Sequence, residues 1–570
     1  MLTVTPRPRN FLPSDLAIKT WADIESFAKD IETREIASLD DYQKFLDDYN
    51  ELDGVTADEY WLRYTSLSCH TDDEGLKERF EYFTAHITPQ LDLWKDNVHK
   101  KLVASPFAKQ ITEPGFALAL RNLQTHINIF RTENLSLKSR EEALIAQSGA
   151  VRGEMLVTLD GEQMTLQAAG NRLFWTDRDK REEAWRAMAE CQYQAHGKLD
   201  DIFDELVKLR HQMAVNAGFE NYRDYMFAVY NRHDYTPQDC YDFHDSILKY
   251  ATPLFEKLQR EKAAALGLEK LRPWDRNADP QQRPPIKAFE SIDALLDNAL
   301  KVFSKIDPAV HDTLLLMRQN NKLDLDSRKG KRPGGYMQTF LESKIPFVFG
   351  NFTQKEDDII TLVHETGHAL HDILVRDLRL NLYRLYPMET AELASMSLEL
   401  LSLDHWDHFF ADKTEMNRAK KALLERIIWV LPAVAQLDIF QQEIYLNPDA
   451  TKEQRHKIWQ KIQKPLVGNA VDWSGLEKYD EASWQNKTHP FDVPLYYVEY
   501  GMAQLGALQI WRNYNQNPQQ AIEQYIAALS LGNTKTIPAV FAAAGIKFDF
   551  SAETVQELMA FVEEELSKLD

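Results

Sequence analysis

Cysteine is nearly missing from this chain. Its three thiols, Cys69, Cys191 and Cys240, lie far apart among 570 residues and form no CxxC pair. A secreted disulfide framework is thereby excluded, and a reducing compartment is the expected setting. Long apolar runs are missing too. Ile427–Ala435 and Ile537–Ile546 are among the longest, both contain proline, and neither is long enough to cross a bilayer. Glycine (21) and proline (23) are too scarce for a fibrous chain, while a hydrophobic content of 44% is too high for a disordered one. Basic charge is in deficit: Lys+Arg 66 against Asp+Glu 88 gives a net charge of −22. Such a chain repels phosphate backbones, so a nucleic-acid partner is not expected, and the charge reads as solubility. The opening Met1-Leu-Thr-Val-Thr-Pro-Arg-Pro-Arg-Asn has basic residues with no apolar stretch behind them. No secretory signal or membrane association is read there, and a cytoplasmic location is expected.

What is present is amphipathic helix. Apolar residues recur at three- and four-residue spacing over Leu39–Tyr49, Asp177–Leu209, Tyr241–Leu266, Met416–Phe440, Gly501–Tyr514 and Ala552–Leu569. Strand signals are few. Met155–Leu166 reads as two short strands about Asp160-Gly161, a favoured hairpin turn. A second extended stretch covers Gly335–Leu341 and Ile345–Phe352, reached through Lys329–Gly335 (KGKRPGG), which is read as flexible. Leu271–Lys287, rich in proline and charge, is expected as a surface loop between helical lobes. The fold expected is mainly α with a small β-sheet, divided into an N-terminal lobe over 1–200, with its hairpin near 155–166, and a second lobe over 201–570.

One pentapeptide carries the chemistry: His364-Glu365-Thr366-Gly367-His368. Thr353 and Glu356 form a capping-box pattern ahead of it, predicting a helix that runs through the motif to Asp372. On that helix His364 and His368 stand one turn apart on one face, so two imidazoles can share one metal ion. Glu365, beside the first ligand, is placed to act as a base without binding the metal. A catalytic zinc needs a third protein ligand. His371 lies two turns from His364, about 10 Å along the axis, too far to converge. Leu374 occupies the position where a His-rich variant of the motif carries its third ligand. The next helix offers Glu389, Glu392 and Glu399 near one face, amid Leu393, Met396, Leu398, Leu400 and Leu401. That apolar setting implies burial, and Glu392 is the expected third ligand. Glu389 or Glu399 would then orient the ligand histidines.

HETGHALH followed by AELASMSLELL resembles the thimet oligopeptidase/oligoendopeptidase F family of zinc metallopeptidases, closer to its bacterial oligoendopeptidase branch. GGYMQTF, IPFVFGNF, HPFDVPLYYVEYGMAQ and ALSLGNT…AAAGIKFDF have counterparts in the same order, and the first hundred or so residues carry little of the resemblance. The resemblance implies one Zn²⁺ per chain held by His364, His368 and Glu392, with Glu365 as general base. It implies two helical lobes enclosing a deep substrate channel that admits short unfolded peptides. It also implies that His489 and tyrosines of the segment His489–Tyr500 stabilise the tetrahedral intermediate. Tyr497 and Tyr500, about one helical turn apart, are the candidates, with Tyr496 in reserve; this chain lacks the glycines that the thimet branch has between its His and Tyr pair. Gly334, Gly335 and Tyr336, with Val348, Phe349 and Gly350, would offer a sheet edge to the substrate main chain. An ordinary hairpin there is an equal alternative. The activity expected is endoproteolysis of short peptides. The alternatives are a dipeptidyl carboxypeptidase-type exopeptidase, a non-catalytic peptide-binding protein, and a helical interaction protein with an accidental HExxH.

Overall fold

The computed structural model describes residues 4–569. The chain folds into two compact units, neither contiguous in sequence. The first comprises the chain up to Thr132, Lys287–Met416 and Gly506–Phe548; the second comprises Glu133–Ile286, Asn417–Leu505 and the chain from Asp549 on. The expected division at 200/201 falls inside the single 39-residue helix Arg178–Asn216, within the second unit. Helix dominates both units, and the strands among the described residues are short.

β1 (Leu156–Leu159) and β2 (Glu162–Thr165) form the expected hairpin in the second unit. Asp160 and Gly161 both have positive φ, 52° and 83°, the pair of left-handed residues that a two-residue turn of this twist demands. The expected surface loop Leu271–Lys287 is only partly that. Leu271 is buried and bridged to Val471, and fully buried Asp275 takes ion pairs from Arg178 and Arg181. Two arginines against one buried carboxylate anchor a stretch whose composition alone reads as solvated.

The first unit carries the other sheet, β3 (Leu323–Asp326), β4 (Tyr336–Gln338) and β5 (Phe347–Phe352), in the order β3-β5-β4. β5 runs parallel to β3 and antiparallel to β4. The segment before β4 is tied down rather than flexible. Lys331, its amine fully buried, donates to Asp324 on β3 and to the Gly350 carbonyl on β5 at 2.6 Å, and lies over the Phe349 ring.

Helices of the first 130 residues, which carry no motif, supply a core that includes Ile24, Phe45, Leu52, Trp94 and Phe116. Leu380 and Tyr383 belong to the same core. Asn50 and Asp53 also bind Asn381, whose side-chain amide donates to the Asn50 carbonyl at 2.9 Å and to Asp53 at 3.0 Å. These helices therefore brace the short link between the HExxH helix and the helix bearing Glu392. That is their contribution to the site.

Candidate metal centre

The HExxH helix runs Glu356–Val375. Its start is not the expected Thr353 cap. Asp358 reaches back to accept the main-chain N–H groups of Thr353 at 2.6 Å and Lys355 at 2.9 Å, and three acidic residues stand in the first turn. A carboxylate there accepts from two main-chain amides and complements the helix dipole, which a neutral hydroxyl does not. Ile359, Ile360, Leu362, Val363, Ala369 and Leu370 are buried, which turns His364 and His368 to one side.

The second helix, Met388–Leu401, lies directly across it and is buried almost throughout. Gly367 makes the close approach possible. A Cβ at that position would stand 2.5 Å from the Ser395 Cα and 2.9 Å from the Ala394 carbonyl oxygen, both main chain. Two helices that touch backbone to backbone bring Glu392 within reach of both imidazoles. The His364 and His368 Nε2 atoms are 3.2 Å apart, and the Glu392 Oε2 is 3.4 Å from the first and 3.7 Å from the second.

These separations suit one ion. Ligands at about 2.0–2.2 Å from a tetrahedral zinc stand roughly 3.3–3.5 Å from one another. The donor chemistry agrees. His364 Nδ1 lies 2.6 Å from Glu399 Oε1; a proton held in that bond leaves a bare lone pair on Nε2. His368 bonds to the main chain of Ala391. Two imidazole nitrogens and a carboxylate oxygen converging at these distances make a donor set that one divalent cation can take. Glu399 thus makes the orienting bond expected of Glu389 or Glu399; Glu389 is buried in the first turn of the same helix. His371 is stacked on Tyr386 with ring centroids 3.5 Å apart, and is no part of the triad.

The electrostatics separate the groups. Burial, foremost, pushes the Glu365 carboxyl up to about 7, and the Glu392 carboxylate adds to it. Burial pulls His368 down to about 4, into the neutral form a metal takes. For His364 burial also opposes charge, but Glu392 and Glu399 outweigh it and raise its pKa. Glu365 also takes a hydrogen bond from the main chain of Met337 on β4. β4 and the Glu365 carboxyl are therefore adjacent.

The edge itself is narrower than expected. β5 is paired on both sides, Val348 with Leu323 and Met337, and Phe349 with Asp324 and Tyr336. Val348, Phe349 and Gly350 thus lie on a central strand and present no free edge. β4 lies at the end of the sheet order, so Tyr336 retains that position, with Gly334 and Gly335 leading in. Gly334 has a φ of +101°, and a Cβ on Gly335 would press on the Phe349 carbonyl at 3.3 Å.

In the second unit, His489 opens a short helix to Asp492, and a further helix starts at Val498. Three phenols gather about its imidazole: ring centroids lie 4.7 Å away for Tyr497, 6.0 Å for Tyr500 and 6.4 Å for Tyr496. Tyr497 is the buried one, and burial raises its pKa. Two arginines that sequence reasoning passed over hold this segment. Arg210, fully buried, donates to the carbonyls of Pro490, at 2.8 Å, and Phe491. Arg232 donates to the Leu495 carbonyl at 2.7 Å and pairs with Glu499 at 2.6 Å. Leu495 has φ of +63°, a strained conformation for a leucine, and Gln441 holds its N–H. No local pattern announces such clamps, because donor and acceptor are hundreds of residues apart. The Arg232–Glu499 pair is buried on both sides, so Arg232→Met should cost about 3–5 kcal/mol in urea unfolding. A cost below about 1 kcal/mol would show that the clamp carries no load.

Comparison with known proteins agrees with this architecture. The model of peptidase family M3 matches residues 175–560, and that of the peptidase M3 N-terminal domain matches residues 17–130. Group B oligopeptidase PepB of Streptococcus agalactiae is 22% identical over 543 residues, covering 89% of this chain and 86% of that protein. The plasmid-borne oligoendopeptidase F of Lactococcus lactis subsp. cremoris is 21% identical over 421 residues, covering 73% and 67%. A solved structure of PZ peptidase A with an inhibitor superposes with a TM-score of 0.90 at 24% identity, covering 96% of this chain and 97% of that one. With the family model spanning well over half of the sequence, the chain belongs to peptidase family M3 and is a peptidase of the mainly α fold shared by its oligoendopeptidase relatives.

Proposed function

We propose that this peptidase is a zinc-dependent endopeptidase that hydrolyses internal amide bonds of short, unfolded peptides in the cytoplasm. The observation that carries the reading is the convergence of His364, His368 and Glu392 beside a buried Glu365. Zinc held by those three residues would supply Lewis-acid polarisation of the scissile carbonyl and a more acidic water. Glu365 accepts a proton from the attacking water and delivers it to the leaving amine. Its elevated pKa suits both halves of that exchange near neutral pH. Glu399 keeps His364 in the ligating tautomer. Main-chain groups of β4 bind the peptide as an added strand, which fixes the amide whatever its side chains. Oxyanion donation is assigned to His489, Tyr497 and Tyr500, on the family resemblance and on the clustering of imidazole and phenols, with Tyr496 in reserve. Three free thiols, and no described helix long and apolar enough to cross a membrane, are compatible with the cytoplasmic assignment.

An internally quenched peptide of about ten residues, blocked at both termini, tests the endopeptidase reading. Cleavage at an inner bond is expected. A protein that leaves the blocked peptide intact but trims dipeptides from its free-ended counterpart is an exopeptidase instead.

A further inference from the structure

We propose that the second unit holds a second divalent-cation site, made by His196, Asp200 and His456. His196 and Asp200 are four residues apart on the helix Arg178–Asn216, so they share a face. His456 comes from the first turns of the helix Lys452–Leu466. Asp200 Oδ2 lies 3.3 Å from His196 Nδ1 and 3.0 Å from His456 Nε2, and the three ligand atoms all lie within 4.8 Å of one another. The two distances to Asp200 are close to those within the HExxH triad.

The surrounding bonds aim these atoms inward. His456 Nδ1 lies 3.0 Å from the Glu481 carbonyl, an acceptor only, so it carries the proton and donates it. Asp200 Oδ1 accepts from the Gln485 amide at 2.8 Å, which leaves Oδ2 for the cluster. Such partners are what metal-binding imidazoles and carboxylates require. A hydrogen bond between His456 and Asp200 accounts for only part of the arrangement. His196 Nδ1 is shielded from solvent and has no hydrogen-bond partner. One cation satisfies all three atoms together. Asp200 is 1% exposed, so its charge has no help from water. Arg455, whose guanidinium lies 3.8 Å from Asp200 Oδ1, is ion-paired with Asp204 at 2.5 Å, so those two charges offset each other. The cluster keeps one negative charge for a dication.

Two imidazoles and one carboxylate favour zinc, cobalt or nickel over magnesium or calcium, which take oxygen ligands. The His196 side chain is 31% exposed, which leaves water for a fourth position. The ion would join two helices to the segment Glu481–Gln485, a few residues ahead of His489. Its role is bracing, and the site stands or falls independently of the proposed activity.

The test uses the full chain with the HExxH site disabled by His368→Ala. After loading with Zn²⁺ and desalting, one zinc per chain should remain, and His368→Ala/His196→Ala should retain none. Cobalt loading should give visible bands of a four-coordinate site in the first variant and lose them in the second. Zinc should raise the unfolding midpoint of the first variant alone. His196 is partly exposed, so the double variant should keep its helical circular dichroism. Equal zinc in both variants, or none in the first, would overturn the proposal and leave Asp200 with an ordinary histidine ion pair.

Discussion

Glu365→Gln should retain its zinc and lose about 10²–10⁴-fold in kcat, the usual span for removing a general base. The substitution keeps size and hydrogen-bonding reach, so the Met337 main-chain contact and the packing of the HExxH helix survive. What it removes is a carboxyl whose pKa burial has raised to about 7 and which the proposed mechanism uses as proton acceptor. The pH profile provides a second readout. Glu365 must be ionised to act, so kcat/KM falls as pH drops through its pKa. A bound dication stabilises the carboxylate and draws that limb to or below pH 7. The variant's residual activity should lack this limb. Wild-type turnover in Glu365→Gln, or loss of its zinc, would remove the general-base assignment.

Gly367→Ala should be almost as damaging, although no chemistry is touched. In an exposed helix interior, exchange of glycine for alanine stabilises by up to about 1 kcal/mol. Here the new methyl group would meet the Ser395 Cα at 2.5 Å and the Ala394 carbonyl at 2.9 Å, neither of which can swing aside. The helices must separate, at a cost of about 1–3 kcal/mol for overpacking. Glu392 rides on the displaced helix. A shift near 1 Å in a reacting geometry costs on the order of 10²-fold in rate, and the same shift weakens zinc binding. Gly149→Ala is the control, because nothing lies within 4 Å of the methyl group it adds. It should leave activity unchanged and stability equal or slightly higher. Full activity and full zinc content in Gly367→Ala would mean that the helix contact does not set the ligand geometry.

The gathering of His364, His368 and Glu392 was legible in the sequence because it is written at helical spacing. His364 and His368 are one turn apart, and the leucines around Glu392 betray its burial. The hairpin at Asp160-Gly161 was legible for a similar local reason. The illegible features depend on partners that only the fold supplies. Val348 and Phe349 read as strand but not as a strand paired on both sides, since their neighbours come from Leu323–Asp326 and Tyr336–Gln338. KGKRPGG reads as flexible until Lys331 finds Asp324 and Gly350. Thr353 looked like a cap, yet the helix starts at Glu356 and Asp358 holds the main-chain N–H groups of Thr353 and Lys355. The discontinuous units have no signature at all at 200/201. Gly367 was in plain view within the motif, but the reason for it is the backbone of Ser395, 28 residues on.

In the proposed mechanism His364, His368 and Glu392 hold a zinc on which hydrolysis depends. The most direct test is the rate of cleavage of one short peptide by chelator-stripped protein as Zn²⁺ is added back. The rate should start near zero and recover fully in the wild type, and should stay near zero in Glu392→Ala. Undiminished cleavage by the stripped protein would contradict the account.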